Sequence, residues 1–133
     1  MDFLGDGRST ISKTTKQRGD AAEDAALAHL EAAGLRLVTR NYRTPGRGGG
    51  EIDLVMRDAR DGRDDTLVFV EVRQRASGTH GGAGGSITFS KQRRIVFAAR
   101  HYLMTLRTLP PCRFDVVLVE DGIEWLPGAF DAG

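Results

Sequence analysis

Val68-Phe69-Val70-Glu71-Val72-Arg73-Gln74-Arg75 is the stretch on which the fold turns. Its apolar members are β-branched or aromatic, the composition of a strand. With Thr66 and Leu67 ahead of it, the run predicts a strand over Thr66 to Arg75. It is the most hydrophobic strand of the chain, which suits a central position covered on both faces. Side chains alternate along a strand, so Glu71 and Arg73 share a face, opposite Val70 and Val72. A carboxylate in such a strand is costly unless it meets a metal, a cation or solvent.

Upstream, Gly50-Glu51-Ile52-Asp53-Leu54-Val55 opens a second acid-bearing strand, Glu51 to Arg57. Alternation predicts Asp53 opposite Ile52 and Leu54, with Glu51 on Asp53's face. Leu35 to Tyr42 reads as a third strand, and Pro45-Gly46-Arg47-Gly48-Gly49-Gly50 as the turn between them. An alanine-rich helix is expected from Arg18 to Ala33, with Asp20 in or near its first turn and Gly34 as its C-terminal cap. Ala22, Ala26, Leu30 and Ala33 form its apolar stripe, and the spacing turns Glu23 toward the packed side. Residues 1–15 are polar and read as a flexible tail before a single domain over 16–133.

Downstream, residues 76–86 carry five glycines and read as a loop with no phosphate-loop pattern. A second helix is expected from Ser90, as N-cap, to Leu106, with Val96, Ala99, Leu103 and Leu106 inward. Arg113 to Glu120 alternates as a strand. Asp121-Gly122 then signals a two-residue hairpin returning through Ile123 to Leu126. The order is α-β-β-β-α-β-β, an α/β fold in which a mixed sheet is flanked by helices.

The chain has 133 residues, 40% hydrophobic and 28% charged, which suits one soluble domain. Its formal net charge is only +1, but the distribution is uneven. Residues 66–115 hold eight basic residues and two acids, a net of +6, whereas 116–133 carry a net of −4. That asymmetry permits a basic face for a polyanion, with Arg75, Lys91, Arg93 and Arg94 as candidate phosphate contacts. A single cysteine, Cys112, excludes an intrachain disulfide, and His29, His80 and His101 are too scattered for a zinc site. No apolar run approaches the ~18 residues a membrane span needs, and no secretory leader is visible, so the expectation is a cytoplasmic protein with no membrane association.

Two carboxylates and a cation at a sheet rim suit a metal-dependent phosphodiesterase. Asp53 and Glu71 are the candidate ligands for Mg²⁺ or Mn²⁺, with the Val72 carbonyl as a further ligand. Glu51 is placed to hold an outer-shell water, and Glu23 to approach from the first helix.

Six ordered blocks resemble the bacterial YraN-type family. They are Arg18-Gly19-Asp20-Ala21-Ala22-Glu23, Arg40-Asn41-Tyr42-Arg43, Gly50-Glu51-Ile52-Asp53-Leu54-Val55, the Val68–Arg75 run, Lys91-Gln92-Arg93-Arg94-Ile95 and Arg113-Phe114-Asp115-Val116-Val117. The resemblance implies a restriction-endonuclease-like fold, distantly similar to archaeal Holliday-junction resolvases. It implies nuclease ancestry rather than a known reaction. By position it carries catalytic roles onto Glu23, Asp53 and Glu71, and onto Arg73 where that family usually has lysine. Arginine keeps the charge and grips phosphate bidentately, but it does not deprotonate to act as a base. Lys91, on the second helix, is the amine that could stand in for it. The expected function is therefore metal-dependent cleavage of DNA (or RNA), with branched structures as the suggested substrate. Two cuts at a junction would suit a homodimer. The alternatives are a non-catalytic nucleic-acid-binding protein on a nuclease scaffold, or an interaction protein docking through Glu120 and Glu124.

Overall fold

The computed structural model describes residues 14–60, 62, 65–74 and 87–133. The tail as far as residue 13, the glycine-rich loop and Arg75 lie outside the described residues. The observed elements are α1 (Thr15–Ala32), β1 (Arg36–Arg43), β2 (Glu51–Asp58), β3 (Thr66–Gln74), α2 (Phe89–Leu103), β4 (Cys112–Val119) and β5 (Ile123–Phe130). This is the expected order.

The five strands form one sheet in the order β1-β2-β3-β4-β5, which places β3 at its centre. All neighbours are antiparallel except β3 and β4, which run parallel and are joined through α2. A parallel pair needs such a crossover, because a tight turn cannot reverse the chain twice.

Each helix covers one face. Ala26 and Leu30 of α1 pack with Leu54, Met56, Val68, Val70 and Val117. Ile95, Val96, Ala98 and Ala99 of α2 pack with Ile52, Val55, Leu67, Phe69 and Phe114. Burying a side chain such as Leu30, fully shielded here, stabilises by roughly 1.5–3 kcal/mol. The ring of Phe69 stacks on Phe114, which stacks on Phe130, tying β3, β4 and β5 together on the α2 side.

Several boundaries differ from expectation. Helix α1 begins earlier than Arg18, because Thr14 and Gln17 form a reciprocal capping box. Thr14 and Thr15 thus belong to the helix rather than to a tail. Gly34 follows the helix with φ of 110°, a conformation glycine adopts freely. Helix α2 is capped by Thr88, whose hydroxyl accepts from the Lys91 N–H, not by Ser90. The β4–β5 connection spans Glu120, Asp121 and Gly122 rather than two residues, and β5 runs on to Phe130.

The more consequential difference lies in β2. Ile52 packs on the α2 face and Leu54 on the α1 face, so they do not share a side. Strict alternation therefore fails at Asp53. The partner strand shows why: Tyr42 pairs with Ile52 and Arg40 with Leu54, and the residue between them, Asn41, has φ of 53°. A left-handed residue in a strand turns the chain over locally. Arg40 then reaches α1 while Tyr42 packs against the α2 side.

Candidate functional site

The site forms where β2 and β3 part. Their ladder runs from Asp58↔Thr66 to Leu54↔Val70 and pairs no further, although both strands continue. Beyond that point the Asp53 carboxylate replaces a backbone partner and accepts the Val72 N–H at 2.8 Å. The N–H and C=O of one strand residue point toward the same neighbour. The Val72 carbonyl is therefore directed to Asp53's side of β3, away from β4.

Glu71 stands across the gap from Asp53 and is almost fully buried. It projects toward α2, where the Lys91 ammonium lies 3.6 Å from its Oε2. Burial raises the Glu71 pKa, and the positive charge of Lys91 works against that rise. Among the described residues, Asp53 has no cation of its own. Burial, then the negative charge of Glu71, push its carboxyl up to about 7, while the Val72 N–H pulls the other way. Two carboxyls this close do not both ionise readily, because the charge of the first raises the pKa of the second.

Glu23 enters from the other face, at the middle of α1. Its pKa is raised by burial and then by the charge of Asp53. Arg40 holds it at 3.4 Å and Asn41 bonds its side chain. Arg40 also pairs with Asp24 at 2.8 Å. Arg40 and Asn41 are site residues that residue-by-residue reading did not select. Their signal was present in the Arg40-Asn41-Tyr42-Arg43 block, which carried a family pattern but no assigned role. The turnover at Asn41 is what brings Arg40 onto Glu23's side.

The remaining candidates scatter. Glu51 sits at the rim, 3.5 Å from Arg43 directly across the ladder. Its charge still contributes to the rise at Asp53. Arg73 shares Glu71's face as expected, and its charge lowers the Glu71 pKa. Yet among the described residues it forms no ion pair. Arg93 and Arg94 are exposed on α2. Gly50 fixes where that helix sits, since a Cβ there would overlap the carbonyl oxygen of Arg94.

Among the described residues, no group of three or more His, Cys, Asp or Glu side chains is arranged to hold a metal ion. Mg²⁺ needs less than that, since it keeps several waters and takes one or two carboxylates. Asp53 and Glu71 are hard oxygen donors whose mutual repulsion a divalent cation would relieve. The donor chemistry therefore fits Mg²⁺ or Mn²⁺. No helix among the described residues is long and apolar enough to cross a membrane.

A family model described as "Uncharacterised protein family UPF0102" matches residues 22–119, which include every side chain of the gap. A UPF0102 protein of Paracidovorax citrulli (strain AAC00-1) is 65% identical over 97% of this chain and 93% of its own length. One of Albidiferax ferrireducens is 70% identical, covering 90% of this chain and 91% of the relative. One of Acidovorax sp. (strain JS42) is 63% identical over 99% of both.

Proposed function

The chain belongs to the UPF0102 family, and we propose that it is a metal-dependent phosphodiesterase that cuts DNA, branched DNA in particular. One observation carries this reading: Lys91 lies 3.6 Å from Glu71, beside Asp53. The nuclease motif that the chain resembles has a lysine where Arg73 stands. Here an amine reaches Glu71 from the neighbouring helix.

Asp53, Glu71 and the Val72 carbonyl are the groups that would hold Mg²⁺ or Mn²⁺. When bound, such an ion lowers the pKa of water and offsets charge on the attacking and leaving oxygens. Lys91 hydrogen-bonds the attacking water and neutralises charge that develops on the phosphoryl oxygens. The water oxygen bonds to phosphorus, and the bond from phosphorus to the leaving sugar oxygen breaks. The water's proton passes to a carboxylate that does not hold the ion, a role given to Glu23, since Glu51 is paired with Arg43 at the rim. Arg40 and Asn41 position Glu23 for that role. Arg73 grips a phosphate oxygen, and Arg93 and Arg94 contact backbone phosphates in a salt-dependent way. A homodimer would serve the two cuts a junction requires.

A second reading, binding without hydrolysis, is favoured by Arg73 itself, which cannot act as the motif's lysine does. Cleavage of end-labelled four-way junction, flap, duplex and single-stranded DNA in Mg²⁺ or Mn²⁺ separates the two. Wild-type protein is expected to cut, and Asp53→Ala to lose cutting altogether. A full-rate Asp53→Ala protein would remove the mechanism. Binding without cutting by the wild type, with activity appearing in Arg73→Lys, would establish the second reading.

A further inference from the structure

Helix α2 has an outward face of which the foregoing roles use only the arginines. Phe89, Arg93, Phe97 and Arg100 follow one another at i, i+4, i+8 and i+11, which places them on a single stripe. Phe89 is 71% exposed and Phe97 53%. Two phenylalanines left in water on one helix face need an occupant, since their burial elsewhere would stabilise the fold. They are not a plain apolar patch. The Arg93 guanidinium lies 5.7 Å from the centre of the Phe89 ring, over its face. The stripe lines a groove of about 830 Å³, whose other wall includes Phe130 and Asp131. Among the described residues that line it, Arg93, Arg94 and Arg100 face Asp131 as the one acidic side chain. Among the described residues none of these arginines forms an ion pair.

Aromatic rings alternating with arginines are what an unpaired nucleic-acid strand requires: rings to stack bases on and cations to follow phosphates. Duplex offers phosphates but keeps its base faces stacked inside. A protein partner would make equal use of the rings, but only an acidic one would use the three arginines. Phe89 and Phe97 stand about 12 Å apart along the helix axis, eight residues at the helical rise, which leaves room for bases to insert between them. The same helix delivers Lys91, two residues before Arg93, to Glu71. A strand lying in this groove therefore runs along the helix that completes the acidic site.

We infer that the α2 groove binds an unpaired stretch of nucleic acid, with Phe89 and Phe97 as base-stacking positions. This rests on the nucleic-acid reading above and narrows its substrate class to branched or gapped structures with a single-stranded segment.

The test is fluorescence anisotropy on the full chain in EDTA. The probes are a labelled oligothymidine, an abasic deoxyribose-phosphate oligomer of the same length and a blunt duplex. Phe97→Ala should weaken oligothymidine binding by about five- to a hundredfold, the range measured for base–aromatic stacking. Phe97→Tyr should retain binding, Phe97→Leu should not, and duplex binding should be unchanged in all three. The abasic oligomer should bind the wild type more weakly than oligothymidine. Unchanged oligothymidine binding in both Phe89→Ala and Phe97→Ala would overturn the inference. So would equal affinity for the abasic and thymidine probes. Wild-type protein that binds or cuts duplex alone would defeat the groove but leave the nuclease reading standing. Failure to bind any probe would defeat both. Loss of a dimer in Phe97→Ala by sedimentation, with oligothymidine binding intact, would assign the stripe to a copy interface instead.

Discussion

Strand β2 carries an acid near each end, and the two ends are built on opposite electrostatic terms. At its last residue, Asp58 accepts a bidentate pair from Arg60 at 2.8 and 2.9 Å and lies 2.9 Å from Arg113. Arg113 bridges on to the fully buried Asp115, which also accepts the Trp125 indole N–H and the Gly128 N–H, each at 2.9 Å. Arg60 in turn lies over the Trp125 ring. Arg60 beside it holds the Asp58 carboxyl well below the usual range. Near the other end, Asp53 has one backbone donor and faces another carboxylate, and its pKa rises. The first cluster meets each acid with cations and donors, so it stabilises the fold. The second leaves like charges together, which costs stability and marks a site poised for a ligand. Fold stability alone gives no reason to place Asp53 and Glu71 in one gap.

The contrast breaks first, if it breaks at all, at Asp115. Asp115→Ala takes the acceptor from the Trp125 and Gly128 donors and removes one partner of Arg113 at a fully buried position. Denaturant unfolding should show a loss of about 3–5 kcal/mol. A loss below about 1 kcal/mol would mean that the far cluster is not the structural one.

The next effect is in pH. Asp53 rises from an ordinary 3.8 to about 7. The folded state therefore binds its proton more tightly than the unfolded state does. The stability this group contributes is complete below about pH 4 and is lost as pH rises toward 7 in the absence of a divalent ion. Asp58 has the opposite sign: its folded pKa is lowered, so its contribution is present above about pH 4 and lost as pH falls further. Unfolding curves in EDTA should be most stable near pH 4–5 and weaker at pH 8. A flat profile between pH 5 and 8 would contradict the assignment.

Smaller effects sharpen the boundary of the site. Arg40→Ala should cost only about 1 kcal/mol, because its closer partner, Asp24, is exposed. Its effect on cleavage should be larger, roughly tenfold or more, since Glu23 loses the group that positions it. A stability loss with unchanged cleavage would place Arg40 outside the site. Lys16→Ala, which removes an exposed pair with Asp20 at 3.1 Å, should change stability by less than about 0.5 kcal/mol.

The element order and the central place of β3 were legible because hydrophobic runs, glycines and prolines mark them locally. Asp53, Glu71 and Glu23 were legible as acids in apolar surroundings, and Lys91 as a cation on the following helix. What the residues alone did not reveal depended on a non-local event. The φ of Asn41 turns β1 over, β2 follows, and alternation fails at Asp53. No periodic pattern encodes that, since the rule of alternation assumes a regular ladder. The pairing of Arg113 with Asp58 was hidden for the same reason, because it joins residues 55 positions apart in sequence. Phe89 and Phe97 were overlooked because an exposed aromatic is indistinguishable from a core one until the helix has a buried side.

The most direct test is the thermal stability of Asp53→Asn at pH 8, with and without Mn²⁺. Asparagine keeps an acceptor for the Val72 N–H and removes the charge facing Glu71. Without metal, the variant should melt higher than the wild type, and Mn²⁺ should raise the wild type's melting temperature but not the variant's. A variant that melts lower than the wild type, or one that Mn²⁺ stabilises equally, would contradict the claim that this gap trades stability for a metal-binding site.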